Sequence, residues 1–224
     1  MSLARLLSIP PGLTAIIGSG GKTTAMYTLA RELSALGTVI CATSTHIYPP
    51  AHLPVLVDPT PGEILRALSA APCLCVGAPG PSGTLSAPAL SMEELCTVAD
   101  YVLVEADGSR SLPLKAHLPS EPVIPACAAV VLHMVGLSGL GKPLAAVSHR
   151  PEVFSALSGL GPDEPVTPAA LAAVLRREAL TRTVFLNQAD DADGLALAGE
   201  VAALLPQFTV YAGSLERRSW QCLS

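Results

Sequence analysis

Between the apolar run Thr14-Ala15-Ile16-Ile17 and a helix-forming stretch from Ala25 to Ala35 stand Gly18, Ser19, Gly20, Gly21, Lys22, Thr23 and Thr24. Residue types in this order suit a bound polyphosphate. Glycines let backbone N–H groups curl around an anion, and the N-terminus of the following helix adds partial positive charge. Lys22 has the reach to meet terminal phosphates, and the Thr23 hydroxyl completes the coordination of Mg²⁺. A turn that merely joined strand to helix has no need of Lys-Thr-Thr in this register. All seven residues are therefore expected to bind the nucleotide, ATP or GTP, with Mg²⁺ as its cation.

The loop is shorter than the common G-x-x-x-x-G-K-[ST] pattern, which calls for glycine at position 16, where this chain has Ile16. It resembles the G-T-x-G-K-T-T loop of the Mur ligase group. Three glycines, the lysine and two hydroxyls are all retained.

A second group of residues is Tyr101-Val102-Leu103-Val104-Glu105-Ala106-Asp107-Gly108. An apolar strand ending in a carboxylate brings the acid out at the carboxyl edge of a sheet, beside the phosphate loop. Glu105 is expected to share the metal with Thr23. Asp107 orients the nucleophile, holds the metal or closes an Asp-Gly turn. Lys22, Glu105 and Asp107 are the expected catalytic residues. The run Cys41-Ala42-Thr43-Ser44-Thr45-His46 places three hydroxyls and an imidazole past another strand, to contact a ligand or to cap the next turn. Further on, Val184-Phe185-Leu186-Asn187-Gln188-Ala189-Asp190 is similar to the N-K-x-D motif that reads guanine, with Gln188 in place of lysine. Asn187 and Asp190 are the candidate nucleotide-binding residues here, Asp190 to accept from the guanine ring and its amine and Asn187 to fix the loop, and an Asx-rich turn is the alternative.

Downstream of the acids lie Gly108-Ser109-Arg110-Ser111-Leu112-Pro113-Leu114-Lys115 and Glu121-Pro122-Val123-Ile124-Pro125. Arg110 and Lys115 either bind an anionic substrate or are solvated. With Val104 to Gly108, the glycine loop and the Thr/Ser turn ending in His46, this segment resembles the YqeC family. The resemblance runs from about Leu13 to Asp190. It implies a cytoplasmic accessory factor that matures the labile cofactor of selenium-dependent molybdenum hydroxylases. The implied partners are a molybdenum hydroxylase or a cofactor-maturation protein.

The elements that must position these residues alternate. Strands are expected at Leu13–Ile17, Thr38–Ala42, Val55–Val57, Leu74–Val76, Tyr101–Glu105, Ala129–Met134, Thr183–Asn187 and Thr209–Ala212. Helices are expected at Lys22–Ala35, Gly62–Ala70, Ser91–Val98, Pro168–Arg177 and Leu195–Leu204. This pattern predicts an α/β fold, a P-loop NTPase-like three-layer domain with a mostly parallel sheet. Residues 1–224 read as a single nucleotide-binding domain. The glycine- and proline-rich stretch 136–168 reads as a small insertion or lid, and Gly77 to Pro88 as a hairpin or surface loop.

Composition sets limits on partners. Half of the residues are hydrophobic but only 4% are aromatic, so the core must be built from Ala, Leu and Val. A net charge of −5 without a basic stripe argues against nucleic acid. No apolar stretch has the length of a membrane span, and Met1 to Pro11 lacks the features of a secretion signal, so a cytoplasmic protein is expected. Cys41, Cys73, Cys75, Cys96, Cys127 and Cys222 form no C-x-x-C pair, and Cys73 and Cys75, at strand spacing on one face, read as small buried hydrophobes rather than as metal or selenium ligands.

Three functions are compatible with these residues. The first is a nucleotide-hydrolysing maturation factor, with phosphoryl-transfer chemistry on Lys22, Glu105 and Asp107. The second is a small-molecule kinase or Mur-like ligase. The third is a non-catalytic, nucleotide-switched chaperone.

Overall fold

A strand covered on both faces has no polar side to show, so its sequence reads as an unbroken apolar run. That is how the strands Val39–Thr43 and Tyr101–Glu105 arise, each buried along its whole length. The computed structural model describes every residue, Met1–Ser224, and the chain adopts the expected α/β class with mostly parallel strand pairing. It divides into two compact units. The first comprises Met1–Ile16, Thr23–Gly108 and Val123–Val131, and the second Ile17–Lys22, Ser109–Pro122 and Leu132–Ser224.

In the first unit, Gly12–Ile16 pairs with Tyr101–Glu105, which pairs with Val39–Thr43; the next neighbours are Cys73–Pro79 and then Val55–Val57, all parallel. The register sets Ile16 and Thr43 on either side of Glu105. The helices are fixed by their caps. Thr60 with Glu63 and Ser91 with Glu94 form reciprocal capping boxes that start Pro61–Ala70 and Met92–Val98. The stretch from Gly77 turns back on itself as anticipated, pairing Ala78 with Ser86 and Pro79 with Leu85 antiparallel.

Cys41 and Cys75 are opposite each other in neighbouring parallel strands, and they and Cys73 are buried free thiols. Burial pushes the Cys75 thiol up to about 12, and the Cys41 thiol is also raised, first by its hydrogen bond with Cys73. Uncharged at neutral pH, these two pack as small apolar groups.

In the second unit, Leu132–Gly136, Thr183–Asn187 and Thr209–Ser214 are adjacent and parallel. A fourth strand, Ser219–Cys222, folds back antiparallel on the last of these. Its mixed polar sequence carries no periodic signal, so the strand is defined by its partner. Thr167 caps Pro168–Glu178, with Pro168 in the first turn. The following helix starts at Ala192, earlier than its apolar pattern indicates, because the Asp191 side chain accepts from the Gly194 N–H. The stretch 136–168 holds two short helices, Leu144–Val147 and Pro151–Ser158. Phe154, fully buried, ties the second of these to a core shared with Leu171, Val174 and Phe208.

Lys115 is inside this unit. Its side chain is 0% exposed and forms an ion pair with Glu121 at 2.9 Å, while Glu121 also accepts from Arg150 at 3.2 Å. Burial alone would raise the Glu121 carboxyl, but Lys115 and then Arg150 outweigh it and hold the group below the usual glutamate range. A carboxylate depressed in the folded state contributes stability above its unfolded pKa, and loses it as pH falls through the folded value. Glu121→Gln should therefore lower stability by about 1–3 kcal/mol at neutral pH, discounted because Glu121 is partly exposed. The difference from wild type should shrink below about pH 4. Urea unfolding of both proteins from pH 3 to 7 measures it.

Candidate functional site

Three of the loop residues have backbone angles that only glycine adopts freely: Gly18 at φ 88°, Gly20 at 72° and Gly21 at 122°. Space excludes a side chain as firmly as the angle does. A Cβ on Gly18 would overlap the Met134 carbonyl and the His133 ring, and one on Gly20 would overlap the Gly136 backbone. The loop is fixed by backbone acceptors and donors around it. The Ser19 N–H donates to the Met134 carbonyl at 2.9 Å, and the Ser19 hydroxyl donates to the Pro113 carbonyl at 2.8 Å. Pro113 also accepts from the Gly136 N–H, so one carbonyl holds both the loop and a strand end.

Lys22 opens the helix Lys22–Leu33 and is buried. Its ammonium curls back over the loop, donating to the Gly18 carbonyl at 2.7 Å and to the Ser109 hydroxyl at 3.1 Å. Ser109, two residues beyond Asp107, was not singled out by the motif. The first-turn N–H groups of this helix, which begins just after the glycines, have no earlier residue of the helix to accept from them.

The next residue, Thr23, is exposed, and its hydroxyl donates to Glu105 Oε2 at 2.7 Å. Glu105 itself is buried, at the carboxyl end of its strand. Thr24 is exposed, whereas Asp107 is fully buried one residue past Ala106, whose N–H donates to the Ile16 carbonyl. The Thr43–Thr45 run braces this strand end. The Thr43 hydroxyl and the Ser44 N–H both donate to the Glu105 carbonyl, and the Thr45 N–H donates to the Thr43 hydroxyl. His46 is exposed.

Asn187, at the end of Thr183–Asn187, is buried with both ends of its amide engaged by backbone. Its Nδ2 donates to the Gly20 carbonyl at 2.7 Å, and its Oδ1 accepts from the Leu215 N–H at 3.0 Å. The residue is a brace for the glycine loop. Gln188 has φ 67°, and its side-chain oxygen accepts from the Ser138 hydroxyl at 2.6 Å, while Asp190 is exposed.

Sequence reading overlooked a further group. The His117 N–H donates to Glu178 Oε1 at 2.6 Å, its ring Nδ1 lies 3.0 Å from Glu178 Oε2, and the His133 ring meets the His117 ring edge-to-face. The signal available was a histidine inside the apolar strand run Val130-Val131-Leu132-His133-Met134-Val135.

Compared with known proteins, residues 14–152 match the family model described as YqeC protein. A curated relative from Escherichia coli (strain K12), named "Uncharacterized protein YqeC", is 29% identical over 219 residues, covering 90% of this chain and 86% of the relative. No solved structure matches.

Replacing Asn187 tests the brace directly. Asn187→Ala strands the Gly20 carbonyl and the Leu215 N–H without their partner, and should cost about 2–3 kcal/mol in urea unfolding. Asn187→Asp should recover little, because its second oxygen would face the Gly20 carbonyl.

Proposed function

Starting from the fact that this chain belongs to the YqeC protein family, we propose that it binds a nucleoside triphosphate with Mg²⁺ and hydrolyses it in an accessory, maturation role. The observation that carries the reading is the hydrogen bond from Thr23 to Glu105, formed by the residue that follows the loop lysine. A hydroxyl and a carboxylate oxygen in contact are hard donors of the kind Mg²⁺ takes, along with water and phosphate oxygens. No helix is long and apolar enough to cross a membrane.

In this reading, Gly18, Ser19, Gly20 and Gly21 shape the cradle, and the first-turn N–H groups of Lys22, Thr23 and Thr24 face the phosphates. The Lys22 ammonium leaves the Gly18 carbonyl to meet the terminal phosphate. Mg²⁺, where bound, would supply positive charge to offset that of the phosphates. Thr23 and Glu105 would hold that cation, and Asp107 would orient the attacking water. Asp190 remains the side chain available to a base, with Asn187 acting through the loop.

The accessory role in maturing a selenium-dependent molybdenum hydroxylase is supported by the resemblance of the Val104–Pro125 segment, and its partner would be that hydroxylase or a protein that carries its cofactor. A panel of ATP and GTP, each with and without Mg²⁺, tests the nucleotide part. Mg²⁺-dependent release of phosphate is expected, and Lys22→Ala should reduce it at least about 10²-fold. Turnover in Lys22→Ala equal to wild type would sink the assignment. Tight binding without turnover would favour a nucleotide-operated switch, and phosphate found on an acceptor would favour a kinase or ligase.

A further inference from the structure

Glu178 is the last residue of the helix Pro168–Glu178, where the helix dipole is negative and a carboxylate is disfavoured. Its side chain is nonetheless only 6% exposed. A buried anion at a helix C-terminus requires positive charge or strong donors close by. What stands there is the buried His117, bonded through both its backbone N–H and its ring, with the buried His133 ring against it.

We propose that His117, His133 and Glu178 bind one divalent transition-metal ion of the Zn²⁺ class, a site separate from the oxygen ligands Thr23 and Glu105. Each of the three side chains offers a ligand atom, and these atoms lie within 4.8 Å of one another. Ligand atoms around a four-coordinate ion with bonds of about 2.0–2.1 Å stand roughly 3.3 Å apart, so small side-chain rotations close the set. The separation of 3.0 Å between His117 Nδ1 and Glu178 Oε2 already matches neighbouring ligands. Two imidazoles with one carboxylate select a borderline first-row ion over Mg²⁺. Three protein ligands leave a fourth position for water or another small ligand, the arrangement of open rather than sealed metal sites.

The backbone supports the site from two directions. Leu132–Gly136 pairs with Thr183–Asn187, fixing the strand that carries His133. The His133 ring also packs against the Gly18 Cα, so close that a side chain at position 18 would strike it. A metal at His133 would therefore stiffen the base of the glycine loop.

The test uses the full chain, stripped with a chelator and kept free of nucleotide, so it does not depend on hydrolysis. Titration with Co²⁺ should give one equivalent of visible d–d absorption, displaced by Zn²⁺ and not by excess Mg²⁺. Glu178→Gln keeps one oxygen to accept from the His117 backbone N–H and turns its amide N–H towards the ring Nδ1, which accepts it in the other tautomer, so the charge is removed and the fold should survive. Glu178→Gln and His133→Asn should each weaken Co²⁺ binding at least about tenfold. If His133→Asn fails to fold by circular dichroism, Glu178→Gln alone decides. The proposal is overturned if wild type binds neither ion, or if Glu178→Gln binds Co²⁺ as tightly as wild type, in which case the pair is only a buried hydrogen bond.

Discussion

The close approach of the Gly20 backbone to the Gly136 backbone governs the site. With φ of 72° and a neighbouring chain where a side chain would stand, position 20 accepts only glycine, and the loop has room for one path. The hydrogen bonds follow from that path. Ser19 reaches Met134 and Pro113, Asn187 reaches the Gly20 carbonyl, and Lys22 returns to the Gly18 carbonyl. Side chains that look like separate motif residues in the sequence are therefore parts of one hydrogen-bonded assembly.

The strands were legible as continuous apolar runs, written by burial on two faces in Tyr101–Glu105 but not in the part-exposed Val55–Val57. Val55–Val57, Tyr101–Glu105 and Thr183–Asn187 have the expected ends, and the other anticipated strands differ by a few terminal residues. Ser219–Cys222 was not legible, since an edge strand with exposed polar residues depends on the strand it joins rather than on its own pattern. Helix starts followed side-chain caps, which explains why Ala192 begins its helix before the apolar period does.

Within the candidate site, motif order carried the glycine loop and the pairing of Thr23 with Glu105, because both depend on residues close in sequence to a strand end. It could not carry Ser109, a loop serine that no motif marks and that meets Lys22 through its hydroxyl. Nor could it reveal His117 and Glu178, which lie 61 positions apart and share no pattern. Asn187 illustrates a different limit. Its place after a strand suggested a residue that fixes a loop, and its contacts name the backbone it holds, that of Gly20 and of Leu215. Residue type and position are visible in a sequence, but the partner is chosen by the packing.

The double grip of Asn187 on the Gly20 carbonyl and the Leu215 N–H has a thermodynamic consequence. A loop held in one conformation by folding would have little disorder left to lose on binding an anion, so pre-organisation would spare such a ligand that entropic penalty. The cost is carried instead by the unliganded protein, which keeps three glycines at positive φ at all times.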